Sequence, residues 1–146
     1  KSVDTRQLDE AVSALAQART VHIIGLRRSF PIASYLAYAF EKMKVPAVLH
    51  SAVGGLGNLS AISRDDALIA ITFSPYSAET LELAEMARAN GIPVVAMSDS
   101  AVNPLRKSGA TLLTVTEIDF GAFRSLSATL CLAITLAVAV GTRKTA

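Results

Sequence analysis

The alternation of strand-like and helix-like segments constrains this chain more than any other feature of its sequence. Short runs of β-branched and apolar residues alternate with stretches of helical spacing along nearly all of the 146 residues. The predicted strands are "TVHIIGL" from Thr20, "VPAVLH" from Val45, "DALIAITF" from Asp66, "IPVVAMS" from Ile92 and "ATLLTVT" from Ala110. Such an alternation favours parallel strands joined by right-handed crossovers. We therefore predict a three-layer α/β/α sandwich around a five-stranded parallel sheet, flavodoxin-like or Rossmann-like, with residues 1–146 forming a single domain.

The intervening helices show apolar periodicity and recognisable end signals. They are predicted over residues 4–19, 30–44, 77–90, 103–109 and 120–140, with a further short segment near Leu59. Asp4 and Ser77 stand where N-caps are expected, and Gly91 stands where a glycine commonly ends a helix.

The last predicted helix, Phe120–Val140, is apolar on nearly all sides. Its stretch Leu126–Gly141 carries no charge, but it is short for a bilayer crossing and follows a complete α/β core, so we predict no membrane span. We expect one face to pack on the sheet and the other on a second subunit, giving a homodimer or higher homo-oligomer. Cys131, the only cysteine, is expected to be a small buried hydrophobe in this stretch.

Composition narrows the functional classes. The net charge of +2 is too small for this segment to bind duplex DNA itself, and the lack of Trp argues against a stacking platform for single-stranded nucleic acid. A single cysteine excludes an internal disulfide and a multi-cysteine zinc site. Without a basic-then-apolar signal segment, a cytoplasmic location is expected. The first residue, Lys1, is not methionine, which hints at a fragment of a longer protein.

The loops that follow the strands are where a ligand is expected, since parallel α/β sheets bind ligands beyond the carboxyl ends of their strands. In "ITFSPYSAET" the third strand ends in four hydroxyl side chains: Thr72, Ser74, Ser77 and Thr80. A helix N-terminus with free N–H groups and added hydroxyls is suited to holding a phosphate. The alternative is ordinary turn and cap chemistry, because Ser and Thr are common in strand-to-helix turns.

The first loop, "GLRRSFP", has a similar design. Gly25 ends the strand, Ser29 is expected to cap the next helix, and Arg27 and Arg28 lie between them. An arginine beside a helix N-terminus can bind phosphate through its planar fork, although either arginine could instead face solvent or pair with Asp99. The glycine patterns of dinucleotide-binding and P-loop motifs are absent, so neither NAD nor ATP is predicted and no cofactor is expected.

Acid–base catalysis has few candidates. His22 is mid-strand and is expected to be a satisfied core histidine. His50 ends the second strand, and Asp99 and Glu117 follow the fourth and fifth strands, so all three lie on the expected ligand side. If the chain is an aldose–ketose isomerase, which must move a proton between adjacent carbons, Glu117 and His50 are the candidate catalytic residues.

The two loops resemble those of the SIS (sugar isomerase) domain, a phosphosugar-binding module of ketose–aldose isomerases and of RpiR-like bacterial transcription regulators. The first loop of that family is similar to Gly-x-Gly-x-Ser. Gly25 and Ser29 match this pattern here, and Arg27 replaces the second glycine. The resemblance implies a dimeric parallel α/β sandwich that binds a sugar phosphate at two strand-to-helix loops.

The second SIS loop resembles Ser-x-Ser-Gly-x-Thr followed by a Glu-Thr pair. Hydroxyls occupy its three phosphate-facing positions here, and Glu79 and Thr80 match the trailing pair. Pro75 and Tyr76 depart from the pattern, and Pro75 removes one N–H donor. The resemblance implies ligand contacts from the two loops, at Gly25, Ser29, Thr72, Ser74, Ser77 and Thr80. Arg27 and Arg28 complete the predicted site, with either of them expected to assist from the first loop.

The strings "GLRRSFPIASYLAYAF" and "FGAFRSLSATLCLA" are especially similar to the effector domains of RpiR-like regulators. This resemblance implies a sugar-phosphate sensor whose DNA contacts belong to a helix-turn-helix domain absent from this chain. Two alternatives stay open: a stand-alone phosphosugar isomerase, and a domain that only dimerises around a vestigial pocket.

Overall fold

The computed structural model describes residues 4–51, 61–99, 104–121 and 123–145. The strands are β1 Val21–Gly25, β2 Ala47–His50, β3 Ala67–Ile71, β4 Val94–Ser98 and β5 Thr111–Thr114. The helices are α1 Thr5–Gln17, α2 Phe30–Lys42, α3 Ala78–Ala89, α4 Pro104–Lys107 and α5 Ser127–Thr145. The short helix expected near Leu59 and the glycine-rich loop before it lie outside the described residues.

All neighbouring strands in the sheet are parallel, and their order is β2-β1-β3-β4-β5. The chain moves outward from β1 to β2 and then returns to add β3 on the other side of β1. Strand order therefore reverses between β1 and β3, where Gly25 lies opposite Ile71. A ligand crevice is expected at such a switch point, beyond the carboxyl ends of these two strands. The predicted five-stranded α/β/α sandwich is confirmed.

Helices cover both faces of the sheet. Val21 and Ile23 of β1 face α1, α2 and α5, and Ile24 faces the layer that contains α3 and α4. Every residue of β1, β3 and β4 is buried, as expected for central strands of a parallel sheet. The uninterrupted apolar run in β3 is therefore a consequence of burial on two sides.

The predicted helix ends are largely confirmed. The Asp4 side chain accepts a hydrogen bond of 2.8 Å from the Arg6 N–H and begins α1. The Ser77 side chain accepts one of 3.2 Å from the Thr80 N–H and begins α3. Gly91 follows α3 with φ +78°, a backbone conformation that glycine adopts at little cost.

The predicted start of the last helix at Phe120 is wrong. α5 begins at Ser127, and the preceding residues form a tight turn. In its described residues, 118–121 and 123–125, the Phe120 N–H donates to the Phe123 carbonyl at 2.9 Å, and the Ser125 N–H donates to the Ile118 carbonyl at 2.8 Å. Gly121 has φ +88°, which suits a turn and not a helix. Apolar content alone misassigned this turn to the helix.

The expected burial of Cys131 is also wrong, because its side chain is exposed. α5 buries one face, which includes Leu136 and Val140, against α1 and α2. Its outer face carries Cys131, Ile134 and Val138, and the last two are 42% and 47% exposed. α5 is long and apolar enough to span a membrane by length and composition, but core helices of soluble proteins meet the same criteria.

Candidate anion-binding site at the carboxyl ends of β1 and β3

Three of the four hydroxyls after β3 form one connected network. The buried Thr72 Oγ1 accepts a hydrogen bond of 2.9 Å from the Ser77 N–H. The Ser77 Oγ in turn accepts from the Thr80 N–H at 3.2 Å and from the Thr80 hydroxyl at 3.1 Å. These hydrogen bonds are the turn and cap contacts that the sequence offered as the alternative to phosphate binding, and they hold the loop at the start of α3. Ser74, by contrast, is exposed at the loop surface.

The N-terminus of α3 already holds one negative charge. The Ser77 hydroxyl donates to the Glu79 carboxylate at 3.2 Å, and Arg27 Nη2 lies 3.5 Å from the same carboxylate. The Glu79 backbone N–H, then Ser77 and Arg27, lower the pKa of the Glu79 carboxyl below its ordinary value. This end of α3 thus favours anionic groups, as the helix dipole predicts.

The first loop, between β1 and α2, is a close-packed turn with little space around its backbone. Residues Arg27–Ser29 form a 3-10 turn that continues directly into α2. A Cβ atom placed on Gly25 would lie only 2.9 Å from the Ser29 carbonyl oxygen, so this close approach requires glycine. Arg27 has φ +55°, in the left-handed region that favours glycine, and it occupies the position of the second glycine in the SIS pattern.

The expectation that the Ser29 side chain caps α2 is wrong. Ser29 is buried and makes no side-chain capping hydrogen bond. Its backbone is helical, with φ −84° and ψ −11°, whereas a capping residue normally has an extended backbone. The 3-10 turn therefore replaces the side-chain cap at the start of α2.

The two neighbouring arginines point to different places. Arg27 has 68% of its side chain exposed and pairs with Glu79. Arg28 crosses the switch point and donates from Nη2 to the Ser74 carbonyl oxygen. Arg28 therefore joins the first loop to the second, and it is the arginine that borders the adjacent cavity.

That cavity has a volume of about 330 Å³ and lies at the carboxyl edge of the sheet. Its volume is in the range of small-molecule sites. Its walls combine apolar side chains with two guanidinium groups and one carboxylate. The lining residues are Arg28, Phe73, Glu117, Phe123, Arg124, Leu126 and Thr129.

Asp99 connects the cavity to the second loop. Its Oδ2 accepts from the Ser74 N–H at 3.1 Å and from Arg124 Nη1 at 2.9 Å, and its Oδ1 accepts from the Tyr76 hydroxyl at 3.3 Å. Burial acts to raise the pKa of the Asp99 carboxyl, but the hydrogen bonds from Arg124 and Ser74 outweigh burial and hold the pKa below its ordinary value. Asp99 pairs with Arg124 and with neither arginine of the first loop.

The two catalytic candidates do not share a cavity in the described part of the chain. Glu117 borders the cavity, but its carboxylate caps α5, accepting from the Thr129 N–H and the Thr129 hydroxyl at 2.6 Å each. His50 is hydrogen-bonded to His22 at 2.9 Å and is not among the residues that line the cavity. Burial and the neighbouring His22 lower the pKa of His50.

His22 is a satisfied core histidine, as predicted. It is buried, and its Nε2 lies 3.0 Å from Asp66 Oδ2. Burial of Asp66 acts to raise the pKa of its carboxyl, but hydrogen bonds from Ser63 and His22 and the charge of Arg19 outweigh burial and lower the pKa. Hydrogen bonds therefore connect Asp66, His22 and His50 in one chain of polar groups.

Of the predicted ligand-binding residues, only Arg28 lines the cavity. The hydroxyls at the α3 N-terminus lie in the neighbouring loop, which Arg28 joins to the cavity through the Ser74 carbonyl oxygen. Comparison with known families identifies the kind of domain to which these loops belong. The SIS domain family model matches residues 14–139, so this chain belongs to the SIS domain family. The resemblance seen in the two loops is confirmed.

Similar proteins of known sequence are transcription regulators. The chain is 27% identical over 116 residues to the HTH-type transcriptional regulator HexR of Pseudomonas aeruginosa, covering 79% of this chain and 40% of HexR. It is 32% identical over 97 residues to the HTH-type transcriptional regulator YbbH of Bacillus subtilis, covering 66% of this chain and 34% of YbbH. The chain therefore spans well under half the length of these relatives.

Solved structures share the fold. The sugar isomerase domain of an RpiR transcription factor from Sphaerobacter thermophilus superposes with a TM-score of 0.90 at 19% identity, covering 97% of this chain and 80% of that one. The NanR protein of Vibrio vulnificus, solved in complex with ManNAc-6P, has a TM-score of 0.83 at 25% identity, covering 94% of this chain and 54% of NanR.

Proposed function

We propose that this chain is the phosphosugar-sensing effector domain of a bacterial RpiR-type transcription regulator. The observation that carries the proposal is the joining of Arg28 to Ser74 across the switch point, next to the 330 Å³ cavity. The hydroxyl loop and the N-terminus of α3 are suited to the phosphate, and the cavity is suited to the sugar. The HTH-type relatives support the regulatory role, and the ManNAc-6P bound to NanR supports a phosphorylated sugar.

The proposed sensor binds its ligand and requires no catalytic step. A sugar phosphate that binds one arrangement of the dimer more tightly than another shifts the population toward that arrangement. The altered dimer arrangement would change DNA binding by a helix-turn-helix domain outside this chain. The relatives are named as HTH-type regulators, which agrees with such a domain. The proposed role places the protein in the cytoplasm, and it requires no cofactor, metal or membrane.

Thermal unfolding against a panel of sugar phosphates, each paired with its unphosphorylated sugar, tests the proposal. A ligand present at about one hundred times its dissociation constant should stabilise the domain by about 2.7 kcal/mol, which raises the unfolding temperature by several degrees. The shift should require the phosphate and should be smaller in Ser74→Ala, which removes the hydroxyl and keeps the backbone N–H and carbonyl. Ser34→Ala, which alters an exposed serine on α2, is the matched control and should retain the shift.

Two other results would overturn the sensor. Conversion of a panel member to its isomer would make the chain an isomerase, despite the use of Glu117 as a helix cap. No shift with any phosphate, from a well-folded oligomer, would favour a domain that only dimerises.

The outer face of α5 is proposed as the dimer interface. Cys131, Ile134 and Val138 lie on one exposed stripe, and an apolar stripe on a helix surface is favoured at subunit contacts. Val138→Asp should therefore give a monomer by solution mass. Val48→Asp alters a similarly exposed apolar residue on the edge strand β2, and this variant should remain a dimer by solution mass. Equal masses for both variants would place the interface elsewhere.

A further inference from the structure

The Asp99 carboxylate is held in the way that proteins hold a bound anion. A backbone N–H from Ser74, the guanidinium of Arg124 and the hydroxyl of Tyr76 all donate to it, at 2.9 to 3.3 Å. Only 15% of its side chain is exposed. Hydrogen bonds between a carboxylate and such donors are stronger than those between neutral groups, so the arrangement is well defined.

The donors that hold Asp99 belong to the proposed ligand site. Ser74 and Tyr76 are part of the loop between β3 and α3, and Arg124 lines the cavity. Both the Ser74 N–H and Arg124 are groups that phosphate oxygens bind readily. The Ser74 N–H and Arg124 Nη1 both donate to Asp99 Oδ2, so a phosphate oxygen must compete with that carboxylate oxygen for them.

We propose that Asp99 is an internal competitor for the anion site, and that an anionic ligand binds by replacing the Asp99 carboxylate on Arg124 and on the Ser74 N–H. The inference rests on the proposed sugar-phosphate site and adds its regulation. The negative charge of Asp99 raises the ligand concentration that the sensor needs. It also opposes weak anions, because only a ligand with several strong acceptor oxygens can replace a carboxylate that accepts from Arg124, Ser74 and Tyr76 and, at 3.5 Å, from the Ser98 hydroxyl.

Replacement of Asp99 by its neutral isostere separates competition from simple positioning. In Asp99→Asn the competitor loses its charge, so inorganic phosphate should bind about fivefold more tightly or better, as measured by titration calorimetry. If Asp99 only orients Ser74 and Arg124, the same change should weaken binding. Adding Arg124→Gln to Asp99→Asn should remove the gain, because Arg124 is the group that is released.

Asp9→Asn is the matched control for net charge. Asp9 forms a similar ion pair with Arg143 at 3.1 Å, but this pair joins α1 to α5, away from the cavity. It should leave phosphate affinity unchanged. An unfolding temperature for Asp99→Asn close to that of the unaltered chain would show that the variant is folded.

The outcomes distinguish this inference from the proposed function. If the unaltered chain binds phosphate as tightly as Asp99→Asn or more tightly, Asp99 is not a competitor for the anion site. That result does not contradict the proposed sugar-phosphate sensor. An equal gain in Asp9→Asn also overturns the competitor, since the effect would then be one of net charge. Binding of phosphate by neither the unaltered chain nor Asp99→Asn overturns both proposals.

Discussion

Replacing Arg28 by glutamine should weaken sugar-phosphate binding by about 10- to 150-fold, the loss expected when hydrogen bonds from a charged group worth about 1.5–3 kcal/mol are removed. Arg28 lines the cavity and donates to the Ser74 carbonyl oxygen. Its removal takes a positive charge from the site and also disconnects the first loop from the second. The affinity of the strongest ligand from the panel, measured by titration calorimetry, gives the result directly.

Arg27→Gln is the matched control, because it changes the same charge one residue earlier in the chain. Arg27 is mostly exposed and pairs with the exposed Glu79, so its loss should have a much smaller effect on affinity. A larger loss in Arg27→Gln than in Arg28→Gln would mean that Arg27, and not Arg28, contacts the phosphate. Sequence alone could not make this distinction, since the two arginines are neighbours in one loop.

The fold was predictable because its signals are local. The run Ala67–Ile71 is apolar throughout, and a strand buried on both faces requires this. The caps Asp4 and Ser77 are likewise read from short patterns, since each side chain bonds to an N–H two or three residues away. Alternation of such segments then leaves few topologies open.

The role of Arg124 could not be predicted in the same way. Its position depends on the turn described over residues 118–121 and 123–125, whereas the predicted last helix began at Phe120. Its partner Asp99 is 25 residues away and follows a different strand. A contact of this kind exists only after the sheet has brought the ends of β4 and β5 together. Gly121 is a residue in this segment whose type favours a turn over a helix.

The sequence also could not predict which side of α5 faces solvent. From Ser127 to Gly141 this helix carries no charge and mixes apolar residues with small and hydroxyl residues, so periodicity does not separate the face that contacts α1 and α2 from the face that carries Cys131. The prediction of a buried Cys131 assumed one environment for the whole helix. Burial of Cys131 would require a partner subunit on the outer face.

Gly25→Ala should both destabilise the domain and weaken ligand binding. The added Cβ would lie 2.9 Å from the Ser29 carbonyl oxygen and 3.0 Å from the Ala33 Cβ, and the first of these atoms belongs to the backbone. Because backbone cannot rotate away, the turn Arg27–Ser29 must move. Overpacking of this kind typically costs about 1–3 kcal/mol, which denaturant unfolding measures. Displacement of the turn also moves Arg28 away from Ser74.

Gly141→Ala separates the effect on the site from the effect on stability. A Cβ on Gly141 would lie 2.6 Å from Met43 Cε and 2.8 Å from Met43 Cβ, so this variant is crowded as well, but within the contact between α2 and α5. Gly141→Ala should lower the free energy of unfolding while the folded protein keeps its affinity for the sugar phosphate. Gly25→Ala should lower both. If the affinity of Gly25→Ala equals that of Gly141→Ala, the first loop does not contact the ligand, and the phosphate must be held without it.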